Sequence, residues 1–257
     1  MTVTRVAVSA TNPNKVNNQT LQPLLFERKP DKDENGTPSA VHNAGDLTFG
    51  PDGYLYITTG DAGKPESAQD INSLAGKILR VTETGAVPED NPFQSPVYSY
   101  GHRNPQGLAW DDSGRLWSTE HGRSGFASGF DELNLVEVGK NYGWPVIQGD
   151  ETREGMQTPV LHSGATNTWA PGDVEFFQGK LYFSGLRGRS LYVYDLEEGS
   201  SNRFRAYFEG DYGRLRAVRI GPDGFLYITT SNRDGRGQPN EGDDKLLRIN
   251  LAWLESQ

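Results

Sequence analysis

The feature that most constrains this chain is an internal repeat. Residues 45–61 (GDLTFGPDGYLYITTGD), 106–122 (QGLAWDDSGRLWSTEHG), 172–188 (GDVEFFQGKLYFSGLRG) and 216–232 (RAVRIGPDGFLYITTSN) align as a short apolar strand, a tight turn and a second alternating strand. Recurrence of one such unit along a chain signals a stacked or radial architecture. In Pro51-Asp52-Gly53 and Pro222-Asp223-Gly224, Pro presets φ, Asp can bond nearby backbone and Gly takes a positive φ, so these positions read as hairpin turns. The segments that follow, 54–59 (YLYITT) and 225–230 (FLYITT), have the β-branched and aromatic content of strands packed between neighbouring sheets, with both faces buried.

A further strand follows each hairpin, at 77–82 (KILRVT), 132–138 (ELNLVEV), 190–195 (SLYVYD) and 245–250 (KLLRIN). Hairpin plus outer strands makes a four-stranded blade, and blades set radially leave only short protected edges around a central channel, as in a β-propeller. The pattern predicts an all-β chain with about four complete blades. Residues 2–9 and 21–27 read as outer strands of a preceding blade, part of a fifth, whereas 11–20 and 29–39 read as polar loops. No domain linker interrupts the pattern, so 1–257 is expected to be a single propeller domain.

Composition agrees with many turns and little helix, with 31 Gly and 15 Pro. No cysteine is present, which removes disulfides, thiolate zinc sites and cysteine nucleophiles from consideration. A formal charge of -9 repels phosphate backbones and anionic lipid, so nucleic acid is not an expected partner. No apolar run approaches the roughly 20 residues that span a bilayer, and residues 1–10 carry no signal-peptide pattern, so the chain as written is expected to be soluble.

Propeller sites form where loops of the inner strands converge on one end of the channel, so residues flanking each repeat are the candidates. His42, three residues before the first repeat, is a candidate general base, and Asp61, at the end of the same hairpin, a candidate orienting carboxylate. Taken alone, each also reads as an ordinary loop histidine or a turn cap. The run 101–107 (GHRNPQG) is more distinctive. It sets the Arg103 guanidinium and the amides of Asn104 and Gln106 at the entrance to an inner strand, where they can hold carboxylates and quinone oxygens; His102 reads as a packing residue. Residues 121–123 (HGR), followed by Asp131-Glu132, place exposed carbonyls beside carboxylates, a combination that suits Ca²⁺ or is simply generic acidity. Residues 141–145 (NYGWP) read as a structural turn and aromatic wedge, with a place in the ligand wall as the alternative. Arg187, Arg214 and Arg216 occupy equivalent loop positions in the last two repeats and predict a multiply charged acidic ligand if all point inward; Arg219 reads as a surface or strand residue.

HNAGDLTFGPDGYLYITTGD, LAGKILRV, YGHRNPQGLAW, DELNLVEVGKNYGWP, TWAP and GRLRAVRIGPDG, in that order, resemble the soluble glucose/aldose sugar dehydrogenases that use pyrroloquinoline quinone (PQQ). The resemblance covers nearly all of the chain from Ser39 onward. It implies a six-bladed propeller, with the family's first blade and most of its second lacking here, and an enzyme that oxidises aldose sugars at C1 to the lactone with PQQ and Ca²⁺ as cofactors. It implies catalytic roles for His42 as base, Asp61 and Arg103; PQQ contacts for Arg103, Asn104, Thr168, Arg187, Arg214 and Arg216; and Ca²⁺ ligation by the carbonyls of Gly122 and Arg123. A second family calcium would draw on Gln148, Asp150 and Glu151. The expected partners are an aldose and an external electron acceptor, with an oligomer possible, and the expected location is periplasmic or extracellular. Val41 and 64–66 (KPE) depart from the glucose-specific members and favour broad aldose use. The rival readings are a propeller binding module that has lost redox activity and a calcium-dependent lactonase-like hydrolase.

Overall fold

The computed structural model describes residues 2–8, 16–26, 41–125, 128–197, 199 and 203–256. Among them, strands dominate and all pair antiparallel. The hairpin of β1 (Thr2–Val8) and β2 (Val16–Phe26) comes first, and then four sheets follow in chain order. These are β3 (Leu47–Phe49) to β6 (Val97–Tyr100) through β4 (Leu55–Thr59) and β5 (Lys77–Val81); and β7 (Pro105–Trp110) to β10 (Leu161–His162) through β8 (Leu116–Glu120) and β9 (Glu132–Val136). The third runs from β11 (Pro171–Phe177) through β12 (Lys180–Gly185) and β13 (Leu191–Asp195) to β14 (Phe204–Tyr207), and the fourth holds β15 (Leu215–Ile220), β16 (Leu226–Thr230) and β17 (Leu246–Ile249). A short helix α1 (Leu251–Glu255) follows. No helix among the described residues is long and apolar enough to cross a membrane.

Two expectations need correction. The fourth sheet has three strands among the described residues, not four; after β17 the chain turns into α1, and Leu251 and Leu254 pack into that sheet's core. The polar stretch 11–20 is not all loop, because Val16 already opens β2 and pairs with Val8. Residues 29–39 lie outside the described residues.

The turns form as their chemistry predicts. Asp52 Oδ1 accepts the Tyr54 N–H (3.1 Å) and Gly53 takes φ +79°; in the fourth sheet Asp223 accepts from Phe225 N–H (3.3 Å) and Gly224 takes φ +76°. The second carboxylate oxygen in each case accepts a tyrosine hydroxyl one strand on, from Tyr56 (3.0 Å) and Tyr227 (2.8 Å). Asp111 repeats the device, with the Trp117 indole N–H as donor (2.9 Å).

Alternation along the second strand of each hairpin sends its two faces to different neighbours. Tyr56 and Ile78 of the first sheet pack against Leu108, Leu116 and Val136 of the second, whereas Leu55 and Ile57 turn the other way, towards Val3. Leu181 and Phe183 face the second sheet's Trp117 and Leu133; Tyr182 faces Leu215, Val218 and Ile228 of the fourth. Burying such a side chain contributes about 1.5–3 kcal/mol, so the face-to-face seams are the main source of stability. β4 is buried on both faces, as expected; β16 alternates buried with half-buried residues instead.

The Gly-Asp pair that opens two of the repeats joins each sheet to another. Asp46 Oδ2 accepts the Leu108 N–H and Asp173 Oδ2 the Val218 N–H, both at 2.9 Å. Arg219 is more than a strand residue. Its guanidinium bonds Asp173 (2.6 Å) and approaches Glu175 (3.6 Å) and Asp46 (3.9 Å), so it ties the first, third and fourth sheets together at their innermost strands.

Candidate active site

The segments before the first strand and after the second strand of each sheet emerge at the same end. There they enclose a cavity of about 830 Å³. Loop 41–46 brings His42, 101–106 Asn104, 121–125 Gly122 and Arg123, 163–170 Thr168, and the last two sheets Arg187, Arg214 and Arg216. Asp61 and Arg103 stand behind this wall, 1% and 5% exposed.

The imidazole of His42 is held from both sides. Its Nδ1 lies 2.7 Å from Asp61 Oδ1, and its Nε2 lies 2.8 Å from an Arg103 terminal nitrogen. A guanidinium has only N–H groups to offer, so Nε2 accepts; Nδ1 then carries the hydrogen donated to Asp61. The arrangement therefore selects the tautomer whose free lone pair is on Nε2. His42 and Ala44 both occupy the left-handed region (φ +50° and +52°), strain of the kind that concentrates at functional sites. The loop also needs Gly60 beneath it, since a Cβ there would lie 1.9 Å from the His42 carbonyl oxygen.

Asp61 accepts three hydrogen bonds, from His42, from Gly63 N–H (2.8 Å) and from the Trp144 indole N–H (2.9 Å). Burial pushes its carboxyl up, but these donors outweigh it and hold it below the usual carboxylate range. The Gly63 bond is the turn cap the sequence suggested, so Asp61 serves the turn and the imidazole together. Arg103 is pushed down by burial, which outweighs the opposing pull of Asp61, Glu120 and Asp131. Its guanidinium also donates to Ser124 Oγ (2.9 Å) and the His121 carbonyl (3.2 Å), while its Nε is buried without a partner. Arg103 and Asn104 are fixed through their backbone, because Glu120 Oε1 accepts both N–H groups. Glu120 Oε2 in turn pairs with His102, which is wholly buried and stacked on Tyr142, as a packing residue should be.

Asn104 is on the wall; its Oδ1 accepts from Ala44 N–H (3.0 Å) and Gln106 (3.1 Å). His121, beside it, receives the Asn104 amide at Nδ1 (3.4 Å) and donates from Nε2 to the Pro171 carbonyl (2.8 Å). Burial pushes it down to about 4, so it is a neutral imidazole at neutral pH.

On the far wall the charge pattern differs from expectation. Arg214 and Arg216 share the one carboxylate of Asp234, at 2.9 and 3.2 Å, so one negative charge offsets part of their two positive ones. Burial pushes the Asp234 carboxyl up, but the Arg236 N–H and Arg214 prevail and hold it at about 2. Arg187 donates to Ser128 Oγ (3.0 Å). Even so, five arginines and two aspartates line the cavity, leaving a clear positive excess. Asp131 and Glu132 are not free carboxylates for a cation. Asp131 accepts N–H groups from Gly122 (2.9 Å), Trp169 (2.6 Å) and Ala170 (2.9 Å), which use both oxygens, and Glu132 is driven by burial up to about 8. Of Gln148, Asp150 and Glu151, Glu151 accepts the Gln148 N–H, Asp150 pairs with His162 (3.2 Å), and Gln148 Oε1 is buried without a partner. Among the described residues no group of three or more His, Cys, Asp or Glu is placed to hold a metal.

Sequence reasoning does not single out Asp234, Arg236, Ser124 or the His121 side chain as wall residues, nor Glu120 as the support of Arg103 and Asn104. The signal for Asp234 and Arg236 was present, since 233–236 follows the fourth repeat as 123–126 follows the second.

Residues 2–248 match the family described as Glucose / Sorbosone dehydrogenase. The chain belongs to that family. It is 34% identical over 220 residues to the aldose sugar dehydrogenase YliI of Escherichia coli, covering 76% of this chain and 58% of that protein. The chain thus spans a little over half the length of this curated relative. Among solved structures, the PQQ-bound aldose sugar dehydrogenase of Streptomyces coelicolor superposes with a TM-score of 0.82 at 39% identity, covering 95% of this chain and 70% of that one. The glucose dehydrogenase-like oxidoreductase from Thermus thermophilus gives 0.81 at 43%, covering 92% and 71%.

Proposed function

We propose that this chain carries the site of a PQQ- and Ca²⁺-dependent aldose dehydrogenase that oxidises the sugar at C1 to the lactone. The observation that carries the proposal is His42, fixed between Asp61 and Arg103 in the tautomer that keeps its lone pair on Nε2, at the wall of a cavity rich in arginine.

The residues fit the cofactor. A cavity of about 830 Å³ is of the size that encloses small-molecule ligands, and its positive excess matches a compact tricarboxylate. Arg187, Arg214 and Arg216 would meet carboxylates through charge-assisted bonds, with Thr168 and Asn104 as neutral donors. Gly122 and Arg123 contribute backbone to the same wall, and their carbonyls would take part of a Ca²⁺ shell.

When bound, PQQ supplies the two-electron acceptor for the C1 hydride, and Ca²⁺ polarises its carbonyl. The chain's part is proton transfer and orientation. The C1 hydroxyl replaces the Arg103 nitrogen at His42 Nε2 and gives up its proton there, leaving the C1–O bond free to become the lactone carbonyl as the C1 hydrogen departs with its electron pair. Asp61 stabilises the resulting imidazolium, and Arg103 keeps its place through Ser124 and the His121 carbonyl.

The test is titration of the purified protein with PQQ and CaCl₂, followed by aldose-dependent reduction of a dye as external electron acceptor. Saturable reconstitution abolished by His42→Ala supports the proposal, and absence of PQQ binding refutes it in favour of a binding module. A lactonase-like hydrolase is disfavoured by arginines standing where that chemistry needs carboxylates.

A further inference from the structure

Residues 141–145 do more than make a turn. The Trp144 carbonyl accepts from Gln69 (2.6 Å), whose amide forms a reciprocal pair with that of Asn141 (3.0 and 2.8 Å). The Trp144 N–H donates to the Gly101 carbonyl (2.9 Å), and Gly101 is needed there, since a Cβ would lie 2.1 Å from Asn141 Oδ1. These bonds fold a loop of the second sheet back over the first and present the indole to two groups at once. Its Nε1–H donates to Asp61 Oδ2 (2.9 Å), and the Arg103 guanidinium lies 5.2 Å from its ring centroid.

We infer that Trp144 is a positioning residue for the base, acting through Asp61. This rests on the reading of His42 as that base. The indole N–H occupies the Asp61 oxygen that His42 does not use, and so draws charge away from the oxygen that His42 does use. In Trp144→Phe the ring beside Arg103 remains while Oδ2, in a side chain 1% exposed, loses its donor. The carboxylate then binds the imidazole hydrogen more strongly and favours the imidazolium. The other groups facing this unit are Arg103 and His121, with Glu120 and Asp131 beyond Arg103; the substitution leaves them in place.

With four histidines in the chain, imidazole NMR of the cofactor-free protein follows His42 directly, assigned by its loss in His42→Ala. The expected result for Trp144→Phe is an upward shift of the His42 titration midpoint by about half a pH unit, a fraction of what one hydrogen bond to a charged carboxylate is worth, since His42 feels the loss only through Asp61. In the PQQ-loaded protein the acidic limb of kcat/KM moves the same way, with PQQ affinity and sugar KM within twofold of wild type. Placed on Asp61→Ala, which removes the side chain linking the two, Trp144→Phe adds no further shift. If Phe leaves the loop unfolded by circular dichroism, 3-benzothienylalanine at position 144 keeps the bicyclic shape without the N–H. An unmoved midpoint, or an equal shift in the Asp61→Ala background, overturns the inference. Activity retained by His42→Ala overturns the base assignment instead, and leaves the NMR result standing.

Discussion

Asp61→Asn isolates what the carboxylate does for His42. The side chain is buried and faces three donors, so the amide fits in neither orientation. With its oxygen towards His42 and Gly63, its NH₂ opposes the Trp144 N–H. With its NH₂ towards His42, the imidazole must take the other tautomer, and Nε2–H then opposes the Arg103 guanidinium with no lone pair left for a sugar hydroxyl. Loss of the charge-assisted bond alone is worth about 1.5–3 kcal/mol, roughly 10- to 150-fold in rate. The wrong tautomer adds to this, so kcat is expected to fall about 10²- to 10⁴-fold. The assay is aldose-dependent dye reduction at saturating PQQ and Ca²⁺, with PQQ affinity measured separately and expected to change little, since Asp61 stands behind the cavity wall. A kcat within threefold of wild type in a variant that binds PQQ normally would refute the claim that Asp61 sets the tautomer.

Three further predictions follow from other parts of the fold. Gly60→Ala forces the His42 carbonyl to move, and activity is expected to drop at least about tenfold, well beyond the change in melting temperature, because the strained loop that carries the base shifts first. Arg187→Ala is expected to weaken PQQ affinity by about 10- to 100-fold, the worth of one charge-assisted bond, with sugar KM unchanged at saturating PQQ; isothermal titration and steady-state kinetics check the two halves. The third concerns Asp173, whose carboxyl burial pushes up to about 6 against the pull of Arg219. Its folded value lies above the unfolded one, so its stabilising contribution is complete below about pH 4 and is lost as pH rises through 6, amounting to up to about 3 kcal/mol. Asp173→Asn should therefore flatten the decline of melting temperature between pH 4 and 7, and an unchanged slope would show that the carboxyl is not raised.

The sequence by itself determined the local units of this protein. Proline, aspartate and glycine at 51–53 and 222–224 define their own turns, and the aromatic and β-branched run 54–59 marks a strand with two faces to bury, because both facts depend on residues a few positions apart. The repeat showed which loops share one end, and so brought His42, Asn104 and the three arginines into a single set of candidates, to which the family resemblance added Thr168. What the tertiary structure decided is how those candidates are paired. That Asp234 lies between Arg214 and Arg216, that backbone N–H groups use up Asp131, and that Trp144 reaches Asp61 from 83 residues away all depend on which sheets stand side by side. Hydrogen-bond partnership and desolvation are set by distances of a few ångströms in space, and separation along the chain carries no record of them. The same holds for the fourth sheet, where α1 rather than a strand follows β17 because Leu251 and Leu254 find buried space in the core that Leu215, Leu226 and Ile249 build.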